Sequence, residues 1–369
     1  MANKEIAYRR LRNQRIAWLK EKTPSDVARR LGALQAQDYA QALWAIGLRM
    51  QNASAGEIEQ AIADKHIILT WAMRGTLHFV PAEDLNWMLK LLTPRILAKD
   101  KRRLEQLELD PKRITQSEKI IYGALKEKQR LSRPDLMKLL EDAGIDTKQQ
   151  RGYHLLWHLA QTGLICLGPM EGKQQTFVLL ENWVYRQNKL SAEESLRELA
   201  RRFFTGHGPA TLHDFAWWSG LTITEARNGL ESVQKTLYSE KIEGVDYWMG
   251  PDDAEVNVED SIICLLPGYD EYLLGYKDRS AVVDPDYAPL IVPGNNGVFM
   301  PMLVVDGEVA GTWKRTVKKS GIDIVIRPFT ALGSRKERVI EAARRYGEFV
   351  HLPVSQVTIE ENGTKGGYL

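Results

Sequence analysis

The chain has little of what would mark a metalloenzyme, a nucleotide hydrolase or a secreted protein. Its 369 residues include two cysteines, Cys166 and Cys264, far apart; that excludes a disulfide framework or thiolate metal cluster and suits a reducing compartment. There is no glycine-rich phosphate loop, nucleophile elbow or zinc-ligand cluster, so neither a metal nor an organic cofactor is expected. No stretch approaches the roughly 20 uninterrupted apolar residues of a spanning helix. The opening segment MANKEIAYRRLRNQRIAWLK carries charge throughout, unlike a secretory signal. These absences point to a cytoplasmic protein with no membrane partner and no obligate protein partner.

One-sided charge is also missing: the net charge is +2, which excludes an indiscriminate polycation. The balance is uneven, however. Residues 1–50 hold ten Lys/Arg, among them Arg29 and Arg30, against four acids. A phosphate-facing surface needs such a local excess, and a solvated set of helix faces shows it equally.

What is present is one plan, met three times: short helices followed by two strands and a turn. In the middle copy, TQSEKIIYGALKEK reads as an amphipathic helix. Ser132-Arg-Pro-Asp135 then caps DLMKLLEDAG, and TKQQRGYHLLWHLAQTG gives a third helix stopped at Gly163. LICLG and QTFVLL follow as strands. Helix, helix, helix, hairpin is the winged-helix order, whose third helix usually enters the major groove; Arg151 and His154 lie on it. In residues 191–249, SAEESLRELARRFFTG, LHDFAWWSG and ITEARNGLESV precede two strands, with Gly220 at a helix-turn-helix corner. The first copy is less regular: helices near 5–20, 25–33 and 54–64, then HIILTWA and GTLHFV around Met73-Arg74-Gly75. The acidic stretch 251–260 reads as a linker. Beyond it SIICLLP, EYLLGYK, AVVD, APLIV, GVFMPMLVVDG, EVAGTWKRTVKK and GIDIVIRPF read as strands of a small barrel or curled sheet, closed by the helix SRKERVIEAARRYGEFV and a loose tail, TKGGYL. The expected fold is therefore α+β: winged-helix segments at 1–110, 111–186 and 187–255, then a β-rich, barrel-like domain at 256–369. Helix-turn-helix units serve DNA and protein contacts alike.

Few residues carry chemistry. His154 and His158 lie four apart on one helix. Metal sharing is one reading; with Trp157 between them and no third ligand nearby, packing or phosphate contact is the better one. In ARRLGALQAQDYAQALWAIGLRM (28–50), helical periodicity fades after Gly32. Were the chain extended there, Gln35 and Gln37 would point the same way, with Ala36 turned inward and Asp38 opposite unless the chain turns. Two amides orient a water molecule but accept protons poorly. They suit a reaction whose leaving group is already activated, such as loss of an N7-alkylated purine, and they equally serve to cap a helix and satisfy loop backbone. Arg74 at its turn reaches a phosphate or simply belongs to the hairpin, and Trp71 and His78 beside it read as core. Asp270 and Glu271 in PGYDEYLLGYKDR are expected to anchor Arg279 in an ion pair. Lys314, Arg315, Lys318 and Lys319 form a basic strand end, fit for backbone contact or for guarding a sheet edge.

LGALQAQDYAQALWAIGLRM, TWAMRGTLHFVPAEDLNWML, LPGYDEYLLGYKDR and DGEVAGTW together resemble the AlkZ/YcaQ-like winged-helix DNA glycosylase family, from about residue 5 to 345. The resemblance implies tandem winged helices with a β-rich domain and cofactor-free excision of N-alkylated purines, with crosslink unhooking in some members. The family's catalytic word is Gln–apolar–Gln, or Gln–apolar–Asp in the YcaQ branch; here it is Gln35-Ala36-Gln37. The resemblance thus assigns Gln35 and Gln37 to positioning the attacking water and stabilising the oxocarbenium sugar; Asp38 and Arg74 are separate candidates for a supporting role. Arg29, Arg30, Arg151, His154, Arg279, Lys314, Arg315, Lys318 and Lys319 would contact duplex DNA bearing alkylated purines. The rival reading is a non-enzymatic winged-helix regulator, in which the glutamines are structural; a protein-interaction scaffold is a third.

Overall fold

The computed structural model describes residues 3–251 and 261–361. The proposed linker at 251–260, apart from its first residue, and the tail TKGGYL lie outside the described residues. The fold is mixed α+β, and contacts gather the chain into two compact units, residues 59–198 and residues 1–58 with 199–369.

In the 59–198 unit, two hairpins share a sheet. Ile67–Met73 pairs with Thr76–Pro81, Ile165–Glu171 with Gln174–Leu179, and Leu69 opposite Leu167 joins them. Arg130–Ser132 extends the far edge. Arg74 and Gly75 take φ of 51° and 74°, the left-handed pair that a tight two-residue hairpin requires. Between the hairpins run Pro111–Lys128, Arg133–Asp142 and Arg151–Gln161. Asp110 caps the first with Pro111 at its start, and Ser132 and Asp135 form a capping box on the second. The third begins at Arg151 rather than at Thr147 because Gln149 and Gln150 both adopt positive φ. Ile68, Trp71, Phe79, Leu155, Leu156, Ile165 and Phe177 form its buried interior.

In the other unit, Lys4–Asn13 ends well short of residue 20, since Arg15 and Trp18 turn to φ of 61° and 60°. Thr23 caps Pro24–Leu31. Gly32 stops that helix at φ 79°, where an added Cβ would lie 3.2 Å from the Trp218 ring. The Leu212–Ser219 and Ile223–Val233 helices each carry a capping box and are divided by left-handed Gly220. The hairpin Tyr238–Ile242 and Val245–Met249 follows.

The C-terminal part corrects the expectation of a barrel. Among the described residues its sheet is open, in the order Val354–Ile359, Gly321–Pro328, Glu308–Lys318, Met302–Val305, Ile263–Leu266. Its two end strands do not pair with each other. Lys336–Phe349 is the crossover that allows Val354–Ile359 to join in parallel. Three expected strands are absent. EYLLGYK contains the short helix Glu271–Leu274, capped by Asp270; APLIV is the turn of helix Ala288–Ile291; AVVD is irregular. Short apolar runs that are buried all round carry no periodicity to separate strand from helix, and capping by Asp270 decides the first of them.

Candidate active site

Gln35 closes the two-residue strand Leu34–Gln35. Ala36 is buried as expected, but the chain bends at Gln37 and Asp38, and Asp38 caps the Tyr39–Gly47 helix by accepting from the Gln41 N–H at 3.2 Å. The extended register therefore ends between the two amides. Gln35 is 8% exposed, whereas Gln37 is exposed at the bend. One amide belongs to a wall and the other to the surface above it.

That wall is a polar seam between residues 35–49 and 265–276. The Gln35 N–H donates to Glu271 Oε1 at 3.0 Å. Glu271 Oε2 accepts from the Trp218 indole N–H at 2.9 Å and lies 3.3 Å from His207 Nε2. Arg49 grips Asp270 with two bonds, 2.8 and 2.9 Å, both side chains fully buried, and also donates to Gln14 Oε1 at 2.8 Å. The Gln14 amide donates on to the Tyr276 hydroxyl at 3.0 Å. Higher up, the Gln41 amide donates to Asp38 Oδ2 at 3.1 Å while its oxygen accepts from the Gly268 N–H, and the Trp44 indole donates to the Leu265 carbonyl at 2.7 Å. A buried ion pair is costly to desolvate and rewards only good geometry. The forked Arg49–Asp270 pair supplies it, and fixes the loop from which Glu271 holds Gln35.

Asp270 thus pairs with Arg49, not with Arg279. Arg279 instead donates to the Leu273 carbonyl at 3.1 Å, and its guanidinium lies 4.9 Å from the centre of Phe299 and 5.7 Å from that of Trp217.

The other marked residues are scattered. Arg74 is half-buried at its hairpin turn; Trp71 and His78 are core. Arg29 pairs with Asp26 at 2.9 Å, and Arg30 donates to the carbonyls of Asn13 and Thr205. With Arg201 and Arg202 they line a shallow recess. Arg151 donates to Glu108, Asp146 and the Leu107 carbonyl, and His154 Nε2 meets Asp100 at 2.7 Å while stacking on Trp157. Lys314 and Lys319 are exposed, Arg315 lies over Tyr346, and Lys318 pairs with Asp323. The residues missed in the sequence are Arg49, Gln14, Gln41, His207 and Trp218. A charge embedded in LWAIGLRM was the available signal, because a cation in so apolar a run needs a buried partner.

The fold and the seam define a mixed α+β protein whose candidate site is an amide segment braced by buried carboxylates. A family model described as DNA glycosylase AlkZ-like matches residues 28–349, and the chain belongs to that family of DNA-directed hydrolases. An interstrand DNA cross-link repair glycosylase of Streptomyces sahachiroi is 26% identical over 318 residues, covering 83% of this chain and 84% of that protein. The structure of Streptomyces sahachiroi DNA glycosylase AlkZ matches with a TM-score of 0.80 at 23% identity, covering 98% of this chain and 100% of that one, a likeness of fold. Among the described residues no helix is long and apolar enough to cross a membrane.

Proposed function

We propose that the protein is a monofunctional DNA glycosylase that hydrolyses the N-glycosidic bond of N7-alkylated or bulky alkylated purines in duplex DNA, and that it unhooks interstrand crosslinks of the same chemistry. The observation that carries this reading is the bracing of the Gln35 backbone by a carboxylate that is itself held by Trp218 and stands beside His207. The anchor reaches the Gln35 backbone from 236 positions along the chain, so tertiary contact rather than a local turn sets where this segment lies.

The chemistry asks little of the side chains. An N7-alkylated purine carries positive charge before it leaves, so no acid is needed to protonate it. The work that remains is to hold a water against C1′ and to stabilise the oxocarbenium sugar as charge develops there. Gln35, fixed in the wall, suits the orienting role; Gln37, at the exposed bend, suits the approach to the sugar. Asp38, held by Gln41, places a negative charge one residue further on, where it favours a developing cation. The winged-helix segments 111–186 and 187–255, and the basic residues around Arg29 and Arg30, would supply phosphate contacts, so affinity should fall linearly with salt on a log–log plot.

The test uses duplexes bearing N7-methylguanine or a nitrogen-mustard crosslink, with abasic sites scored after alkali. The wild type should release base, and a Gln35→Ala/Gln37→Ala double variant should bind equally well and release none. Binding without release from either substrate by the wild type would sink the enzyme reading in favour of a non-catalytic DNA-binding protein.

A further inference from the structure

Trp217 stands out on its helix. Its neighbours Phe215 and Trp218 are completely buried, yet Trp217 is 45% exposed. It is not a loose surface ring: its indole N–H donates to the Leu274 carbonyl at 3.3 Å, which fixes the plane of the ring. Arg279 lies against it, gathered between Trp217 and Phe299 and tied to the Leu273 carbonyl. The guanidinium is half-buried and, among the described residues, no carboxylate stands within ion-pair distance of it. Desolvation lowers its pKa, against the opposing pull of the Asp214 charge from beyond ion-pair distance. In a chain with nearly as many acids as bases, a partly desolvated cation that touches rings and has no carboxylate in contact leaves its outer face open to an outside acceptor.

The cluster continues to the candidate active site. Phe299 packs on Tyr269 with ring centres 6.0 Å apart. Tyr269 holds the left-handed backbone, φ 61°, directly after Gly268, whose N–H meets Gln41, the residue that holds Asp38. Desolvation and the charge of Asp38 both raise the Tyr269 pKa, so the phenol stays a neutral ring. From Asp38 to Trp217 the path runs through contacts within the unit formed by residues 1–58 and 199–369.

Resting on the reading that the substrate is DNA, we propose that Trp217 and Arg279 form a ledge for an unpaired nucleotide, its base stacked on the Trp217 indole and its oxygen acceptors met by Arg279, beside the Gln35–Asp38 segment. Stacking suits such a site because every base offers a π-face. A guanidinium backed by an aromatic ring is pre-organised and weakly hydrated, and so well suited to a phosphate or base-edge acceptor. The ledge gives the protein a way to hold open a duplex at the lesion without any contact specific to the alkyl group.

The experiment measures binding to unalkylated DNA at fixed salt, with a fully paired duplex and with the same duplex carrying one bulged nucleotide. The wild type should favour the bulged duplex. Trp217→Ala should lose about 10-fold on the bulged duplex and less than about 2-fold on the paired one, the scale of one base–aromatic stack; Trp217→Phe should keep most of the preference. Arg279→Gln should weaken bulged-duplex binding and lower its salt slope by about one phosphate contact. Equal losses on both duplexes, or no loss, would overturn the ledge. Because no alkylated base is present, the result does not depend on catalysis. A Gln35→Ala/Gln37→Ala variant that keeps the bulge preference would separate the ledge from the glycosylase reading.

Discussion

The Gln35–Asp38 segment and the Arg151–Gln161 helix handle polar side chains in opposite ways. On the helix, Arg151 is satisfied by two largely exposed carboxylates, Glu108 and Asp146, and His154 meets the nearly buried Asp100. In the segment, the backbone of Gln35 and the loop beneath it are satisfied from far along the chain and out of water, by Glu271 and by Arg49–Asp270. A solvated pair can be exchanged for a phosphate or for water at little cost. A buried one cannot, so the seam is where substitution should be felt, in stability and in chemistry.

The hardest blow to that contrast is Asp270→Asn. It leaves the Arg49 guanidinium buried without its counter-charge, and truncating one partner of such a pair costs about 3–5 kcal/mol. The urea midpoint should fall accordingly, whereas Arg49→Leu/Asp270→Leu, which removes both charges, should recover part of the loss. A midpoint that stays put in Asp270→Asn would mean that the seam is not what holds this loop. Next comes Glu271→Gln. Its amide must turn an N–H toward either Gln35 N–H or the Trp218 indole, setting donor against donor at a cost of about 1–3 kcal/mol. Base release should drop at least 10-fold in kcat with DNA affinity nearly unchanged, since Glu271 acts by positioning Gln35. An equal fall in kcat and affinity would point instead to a collapsed fold.

A half-buried cation in the same unit sharpens the point. Lys20 lines a cavity of about 490 Å³ with Trp44, Cys264 and Phe349, and its ammonium is held by the carbonyls of Ile16 and Leu48 rather than by a forked carboxylate. Desolvation brings its pKa down to about 8. Below that pH, folded and unfolded chains both carry the proton, and the folded state bears the full cost of burying the charge. Between about pH 8 and 10 the folded protein gives the proton up while the unfolded chain keeps it, so stability should rise with pH. From pH 8 to 9.5 the gain should be about 1.5 kcal/mol, visible as a higher urea midpoint. Lys20→Met should flatten that rise; a midpoint that falls over this range in the wild type alone would contradict the assignment.

The local part of this design was legible in the sequence. Ser132, Thr211 and Thr222 announce helix starts because each is followed three positions on by an acidic residue that completes the cap, and Gly75 after Arg74 marks a turn because glycine accepts the left-handed backbone a tight hairpin needs. The Tyr39–Gly47 helix was not legible: Ala42 through Gly47 are all buried, so no polar face interrupts its apolar run. The partners of Asp270 and Glu271 were misread for a related reason. Arg279 is the cation nearest in sequence, but burial selects by space, and Arg49 and Gln35 reach the loop from more than 200 residues away. The bend at Gln37 depends on Asp38 choosing to cap a helix that the pattern did not reveal. The motif was therefore readable as a word, while its geometry was not.

The smallest expected effect lies on the helix side of the comparison. Arg151→Gln removes a cation whose side chain is 13% exposed and already bound to two carboxylates. A phosphate would have to compete with Glu108 and Asp146, which carry more negative charge between them than one phosphodiester. If the charge is spent locally, the substitution should lower stability by less than about 1 kcal/mol and leave the log–log salt slope of duplex binding changed by less than half of a phosphate contact. Arg29→Gln, at a site shared with Arg30, Arg201 and Arg202, removes one of four clustered cations and should shift the slope more. Were Arg151→Gln to reduce the slope by a full contact, the surface pairs would have to break on binding, and the helix would join the seam as a region whose partners are chosen for the DNA rather than for the fold.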